Sequence, residues 1–139
     1  MPEVRRERTG WRDAELSARH RRWGYDCPAV DIDFLMIEYD HGVASALVEY
    51  KNEHAAPQYA SHPTYQAMIN LGDRAQLPVF AVRYKDDFSE WRVVPLNNCA
   101  KEILPDTETM SEDEWVQLLY RLRGYDAPQS VLDGLRVEI

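Results

Sequence analysis

Four side chains suited to a hydrolytic metal site lie within two neighbouring segments, Asp31 and Asp33 in Val30–Tyr39, and Glu49 and Lys51 just beyond them. Carboxylates hold a hard divalent cation well, because Mg²⁺ takes one or two of them and keeps several waters. A lysine beside such an ion holds a nucleophilic water or stabilises charge developing on a phosphorane. That chemistry needs the four groups to converge, which depends on the elements that carry them.

Both segments, 30–39 and 43–51, are rich in β-branched and aromatic residues, and they flank Asp40-His41-Gly42. This pattern predicts a β-hairpin. A three-residue loop sets Tyr39 opposite Val43, and alternation then sets Asp33 opposite Glu49 and Asp31 opposite Lys51. Directly opposed residues share a face, with Cβ atoms about 5 Å apart. A slip of one residue would separate Asp33 from Glu49 across the sheet. Leu35, Ile37, Val43 and Leu47 share the acidic face, while Ile32, Phe34, Met36, Ala46 and Val48 take the other. Apolar residues on both faces predict strands covered on both sides, central in the sheet. Two carboxylates at the edge of a core repel unless a cation neutralises them. The plainer alternative is an Asp31–Lys51 ion pair that finishes an exposed hairpin end.

The flanking elements follow from periodicity. Leu16, His20 and Trp23 predict a helix from Trp11 to Trp23, stopped at Gly24. After a loop over 52–61, Pro63 opens a helix through Asp73 with Tyr65, Met68, Ile69 and Gly72 on one face. Val79–Tyr84 and Trp91–Leu96 read as strands around the polar turn Lys85–Ser89. Ser111 and Glu114 form a capping-box pattern ahead of Trp115, Leu118, Leu119 and Leu122, and Gly124 ends that helix. The expected order is α-β-β-α-β-β-α, an α/β (α+β) domain on one mixed sheet. It comprises a basic N-terminal helix over 1–23, a core over 24–96 and a C-terminal helical segment over 97–139.

At 139 residues, with 45% apolar and 29% charged, the chain suits one soluble globular domain. No run is long enough for a membrane span, and the N-terminus lacks the apolar stretch of a secretory signal. Two cysteines, Cys27 and Cys99, make no disulfide framework. A cytoplasmic protein with no membrane partner is expected. The net charge of −8 is unevenly spread: residues 1–23 carry +3 and the remainder −11. An acidic body repels polyphosphate at long range, yet a basic arm with Arg19, Arg21 and Arg22 can still meet a phosphate backbone.

The run from Pro28 through Asp31, Asp33 and Leu35, followed by Val48-Glu49-Tyr50-Lys51, resembles the core motif of the PD-(D/E)XK nuclease superfamily. Restriction enzymes, Holliday-junction resolvases and many phage and mobile-element nucleases belong to it. The resemblance covers about residues 11 to 96 and implies a restriction-endonuclease-like core. It further implies Asp33 and Glu49 as metal ligands, Tyr50 as a ligand through its backbone carbonyl, and Lys51 as the catalytic lysine. Asp31 would substitute for or support Asp33, Glu15 is the candidate acid on the first helix, and Gln66 or Tyr65 the assisting residue on the helix after the motif. Pro28 is not adjacent to either Asp, which departs from the family pattern.

The remaining reactive types read as structural. His20 lies on an apolar stripe, His41 in a turn, and His54 and His62 flank a loop without zinc-site spacing. Cys99 has no obvious His partner, and Glu112-Asp113-Glu114 favours a helix dipole. The expectation is thus a Mg²⁺- or Mn²⁺-dependent nuclease acting on nucleic acid, DNA foremost, and able to dimerise. The alternative is a nuclease-fold binding or accessory protein that no longer cuts and acts through a protein partner.

Overall fold

A computed structural model describes residues 14–24, 32–57 and 59–135. Asp31 and Pro28 lie outside them. The chain divides into two compact units, 1–31 and 32–139.

In the first unit, α1 spans Ala14–Arg22. Arg19, Arg21 and Arg22 fall in its last turn, where the helix dipole favours cations, and all three are exposed. The His20 and Trp23 rings meet at 4.3 Å, and Gly24 leaves the helix at φ 90°. Ala14 is the first described residue of this element, so a start at Trp11 falls outside the description.

The second unit holds β1 (Phe34–Glu38), β2 (Val43–Asn52), α2 (Pro63–Ala75), β3 (Val79–Tyr84), β4 (Trp91–Pro95), α3 (Asn98–Ile103), β5 (Glu108–Met110), α4 (Glu112–Leu122) and α5 (Gln129–Leu135). One five-stranded sheet runs β1-β2-β3-β4-β5, parallel between β2 and β3 and antiparallel elsewhere. The mixed α/β class agrees with the sequence. Three elements do not follow from it: α3, β5 and α5. Each is short, between three and seven residues, and too brief to establish a period.

Alternation along the sheet divides two cores. Ala46, Val48, Phe80, Val82 and Val93 face α4 and pack with Trp115 and Leu118. Leu47 and Val79 face α2 and pack with Tyr65 and Met68. Burial of each large side chain contributes roughly 1.5–3 kcal/mol. Helix α2 begins at Pro63, where the missing N–H costs nothing, and the His62 ring accepts from the Thr64 amide. The capping box of α4 forms as its sequence specifies, with Ser111 and Glu114 bonded reciprocally.

Two expectations about the hairpin fail. The turn has four residues, because Glu38 pairs with Val43 and leaves Tyr39–Gly42 between them. Glu38 draws the turn together by accepting from the amides of Asp40 and His41. A bulge then follows, with Met36 opposite Ala46 but Ile37 opposite Ala44, so Ser45 is the extra residue. The longer turn and the bulge cancel, and Phe34 opposite Val48 restores the register expected at the open end. The second failure concerns burial. Phe34, Leu35 and Ile37 are 51%, 51% and 42% exposed, because β1 is the edge strand. Of the two hairpin strands only β2 is buried on both faces, with Ala46, Leu47, Val48 and Glu49 all buried.

Candidate active site

Glu49 lies near the open end of β2 on the α2 side of the sheet, buried to 6% exposure. Burial pushes its carboxyl above the ordinary carboxylate value, and the nearby Asp33 charge pushes it further. Lys51, two residues along on the same face, pulls the other way, with Nζ 3.5 Å from Glu49 Oε1. Glu49 Oε2 has no hydrogen-bond partner although it is buried. An unpartnered buried oxygen of this kind costs about 1–3 kcal/mol, more when charged.

Asp33 sits one residue before β1, and its Oδ2 accepts from the Tyr50 amide at 3.1 Å. That amide therefore points toward β1, and in an extended strand the carbonyl of the same residue points to the same side. The Tyr50 ring takes the opposite face, where its hydroxyl accepts from Trp115 Nε1 at 3.1 Å. The structure thus brings together Asp33, Glu49, Lys51 and the Tyr50 backbone.

Tyr65 on α2 completes the group from above the sheet. It is buried, and burial raises its hydroxyl pKa, with the charges of Glu49 and Asp33 adding to the rise. Its neighbour Gln66 is engaged elsewhere, donating to the Ala60 carbonyl at 2.6 Å and tying the preceding loop to the helix. Asp31 lies outside the described residues. Glu15, Arg19, Arg21 and Arg22 belong to the first unit.

Asp33, Glu49 and the Tyr50 carbonyl are all hard oxygen donors, the set that suits Mg²⁺ or Mn²⁺. The unpartnered Glu49 Oε2 fits such an ion, since a cation would meet the lone pairs that no donor meets. This donor set leaves room for waters, as Mg²⁺ requires.

Next to these acids the sheet carries a row of cations that sequence reasoning missed. Lys51 pairs with Arg83 across the parallel ladder, and Arg83 pairs with Arg92 across the antiparallel one. All three line one cleft of about 350 Å³ with Pro57, Tyr59 and Tyr65. Arg83 is committed to the fold: its Nη1 donates to the carbonyls of Asn52, Glu53 and Ala55. A signal for half of the row was present, because the hairpin around Lys85–Glu90 sets Arg83 opposite Arg92 once its loop length is known. The parallel pairing that adds Lys51 has no such local signal.

A separate exposed group, Glu53, His54 and Asp86, places three possible metal-ligating atoms within 4.8 Å of one another. Its atoms are already bonded among themselves. His54 Nε2 lies 2.8 Å from Asp86 Oδ2, and the Asp86 amide donates to Glu53 Oε2 at 2.7 Å. Asn52 Nδ2 donates to Asp86 Oδ1, and these contacts lower the Asp86 carboxyl pKa. Cys99 is half-buried near the Gln76 carbonyl, and burial raises its thiol pKa, the wrong direction for a nucleophile.

Among the described residues, no helix is long and apolar enough to cross a membrane. No protein-family model, curated protein or solved structure matches the chain.

Proposed function

We propose that the chain is a divalent-metal-dependent nuclease that hydrolyses phosphodiester bonds of nucleic acid, with a restriction-endonuclease-like core formed by the sheet and α2. The observation that carries this reading is Glu49: a buried carboxylate with an unpartnered oxygen, beside a second acid and beside Lys51, which itself lines a cation-rich cleft. Such a group is costly for the metal-free fold and useful to a bound cation. Asp33, Glu49 and the Tyr50 carbonyl would hold Mg²⁺ or Mn²⁺. A divalent ion bound there supplies a water of lowered pKa and neutralises charge on the phosphate. Lys51 projects from the same face, where its ammonium donates to the attacking oxygen or to a non-bridging phosphate oxygen. Tyr65, itself buried, lies near the buried Glu49 on the α2 side.

The test pairs calorimetric titration of Mn²⁺ with nicking of supercoiled plasmid, for the wild type and Glu49→Gln. Stoichiometric binding and nicking that both depend on Glu49 support the reading. A wild type that binds no divalent ion overturns it. In that event the accessory-protein reading gains, and the exposed apolar edge at Phe34, Leu35 and Ile37 favours a protein partner that adds a strand to β1.

A further inference from the structure

We infer that the cleft beside the acids takes one unstacked nucleotide of a single-stranded nucleic acid, with Arg92 holding its phosphate and Tyr59 stacking on its base. This rests on the nuclease reading and names the form of substrate that the site accepts.

Like charges aligned directly across neighbouring strands destabilise a sheet, and Lys51, Arg83 and Arg92 are aligned in this way. Two of the three are compensated within the protein. Arg83 donates to three backbone carbonyls, and Lys51 meets Glu49. The Arg92 side chain makes no hydrogen bond or ion pair among the described residues, and it is exposed at the cleft. The row therefore ends in one guanidinium with its full donor capacity open. A planar fork of N–H donors matches the paired oxygens of a phosphate or a carboxylate, and a nucleic acid offers the phosphate.

Two strand spacings separate Lys51 from Arg92, roughly 10 Å. A phosphate at the acids and the next phosphate on Arg92 would therefore straddle the cleft floor, leaving a base to fill the space between floor and wall. Tyr59 stands on that wall, 77% exposed. An aromatic face beside a basic groove is the arrangement that binds single strands, since every base has a face to stack. At about 350 Å³ the cleft lies at the small end of ligand pockets, which run from ~300 to ~1,000 Å³, a size that suits one nucleotide. Stacking on Tyr59 needs a base face that is free of its neighbours, which a single strand offers.

The test uses the full chain with Ca²⁺ in place of Mg²⁺. Fluorescence anisotropy follows fluorescein-labelled oligo-dT and oligo-rU strands of about 12 nucleotides, and a blunt duplex of the same length, from about 50 to 200 mM salt. The wild type should bind at least one of the strands about 10-fold more tightly than the duplex. Arg92→Ala should weaken that binding about 10-fold and flatten its salt slope by about 0.7, the value of one single-strand phosphate contact. Tyr59→Ala should weaken it about 5- to 100-fold with the slope unchanged, and Tyr59→Phe should bind as the wild type does. Both side chains are exposed, so neither variant should disturb folding, and matching far-UV spectra would confirm that. Equal or tighter binding of duplex overturns the inference, as do two alanine variants that bind like the wild type. The two readings fail separately. Mn²⁺-dependent nicking without a single-strand preference overturns the nucleotide cleft alone. Single-strand binding that depends on Arg92 and Tyr59, without any hydrolysis, supports the cleft and overturns the nuclease.

Discussion

The Tyr50 amide donates to Asp33 Oδ2 at 3.1 Å, so one carboxylate both closes the open end of the β1–β2 hairpin and faces the Glu49 charge. A single side chain thus carries two duties, one through its shape and one through its charge, and substitution can separate them.

Asp33→Asn keeps an oxygen for the Tyr50 amide and removes the charge. Divalent-metal affinity should fall by at least about 10-fold, with partial rescue of nicking by excess Mn²⁺. Asp33→Ala also removes the hydrogen bond and should be less stable than Asp33→Asn by about 1 kcal/mol. Calorimetric titration and thermal melts of the two variants check both halves.

Glu49 sets a pH dependence in the metal-free protein. Its folded pKa lies above the ordinary 4.5, so the stability it contributes is full below that value and is lost as pH rises through the raised folded value. In EDTA, wild-type stability should therefore decline with rising pH across this range, and Glu49→Gln should flatten the decline. At neutral pH the variant should melt above the wild type by ~2–4 °C, the shift that about 1 kcal/mol produces at this size. Added Mn²⁺ should raise the melting temperature of the wild type and leave Glu49→Gln unmoved. A variant that melts below the wild type in EDTA would assign Glu49 a structural role.

Lys51→Ala should cut turnover by at least about 10²-fold, the scale of losing one electrostatic stabiliser. Metal affinity should hold or rise, because the cation that sits 3.5 Å from Glu49 is gone. Plasmid-nicking rates beside Mn²⁺ titrations would separate the two effects. Loss of metal binding would instead make Lys51 a prop for the acids.

Replacing two of Arg19, Arg21 and Arg22 should weaken nucleic-acid binding and reduce its salt slope by about one unit per lost contact on duplex. An unchanged slope would leave these exposed arginines a solvated helix end.

Gly72→Ala should be costly despite the better helix propensity of alanine. A Cβ at position 72 collides with Val79 Cγ2 and presses on the Leu77 carbonyl and Asn97 Nδ2. Overpacking of this kind costs about 1–3 kcal/mol, and it pushes α2, which carries Tyr65, away from β3. A chemical-denaturation midpoint that does not fall would contradict the packing described.

The pairing of the two candidate acids is legible in the sequence, while the turn that brings them together is not. A three-residue turn was expected, yet four residues and a bulge at Ser45 reach the same register at Phe34 and Val48. Turn length and bulges depend on local backbone choices, such as Glu38 capping the amides of Asp40 and His41, that alternation does not record. The apolar residues of β1 misled in another way. Phe34 and Leu35 carry the composition of a buried strand while lying at an edge, because strand composition does not specify sheet position. The Arg83–Lys51 neighbourhood was invisible for a further reason. Parallel pairing is set by the path of α2 across the sheet, and no short-range pattern encodes it.

The parallel seam between β2 and β3 also fixes a timetable. A growing chain completes the acids and Lys51 with β2, yet the floor of the cleft waits for β3 and for Arg92 on β4. At ~5–20 residues per second, synthesis from residue 51 to residue 92 takes ~2–8 s. Until α2 and β3 follow, β1 and β2 stand as a lone hairpin, marginal in water by itself. A polypeptide stalled before β4 therefore carries the acids and Lys51 without the cleft beside them.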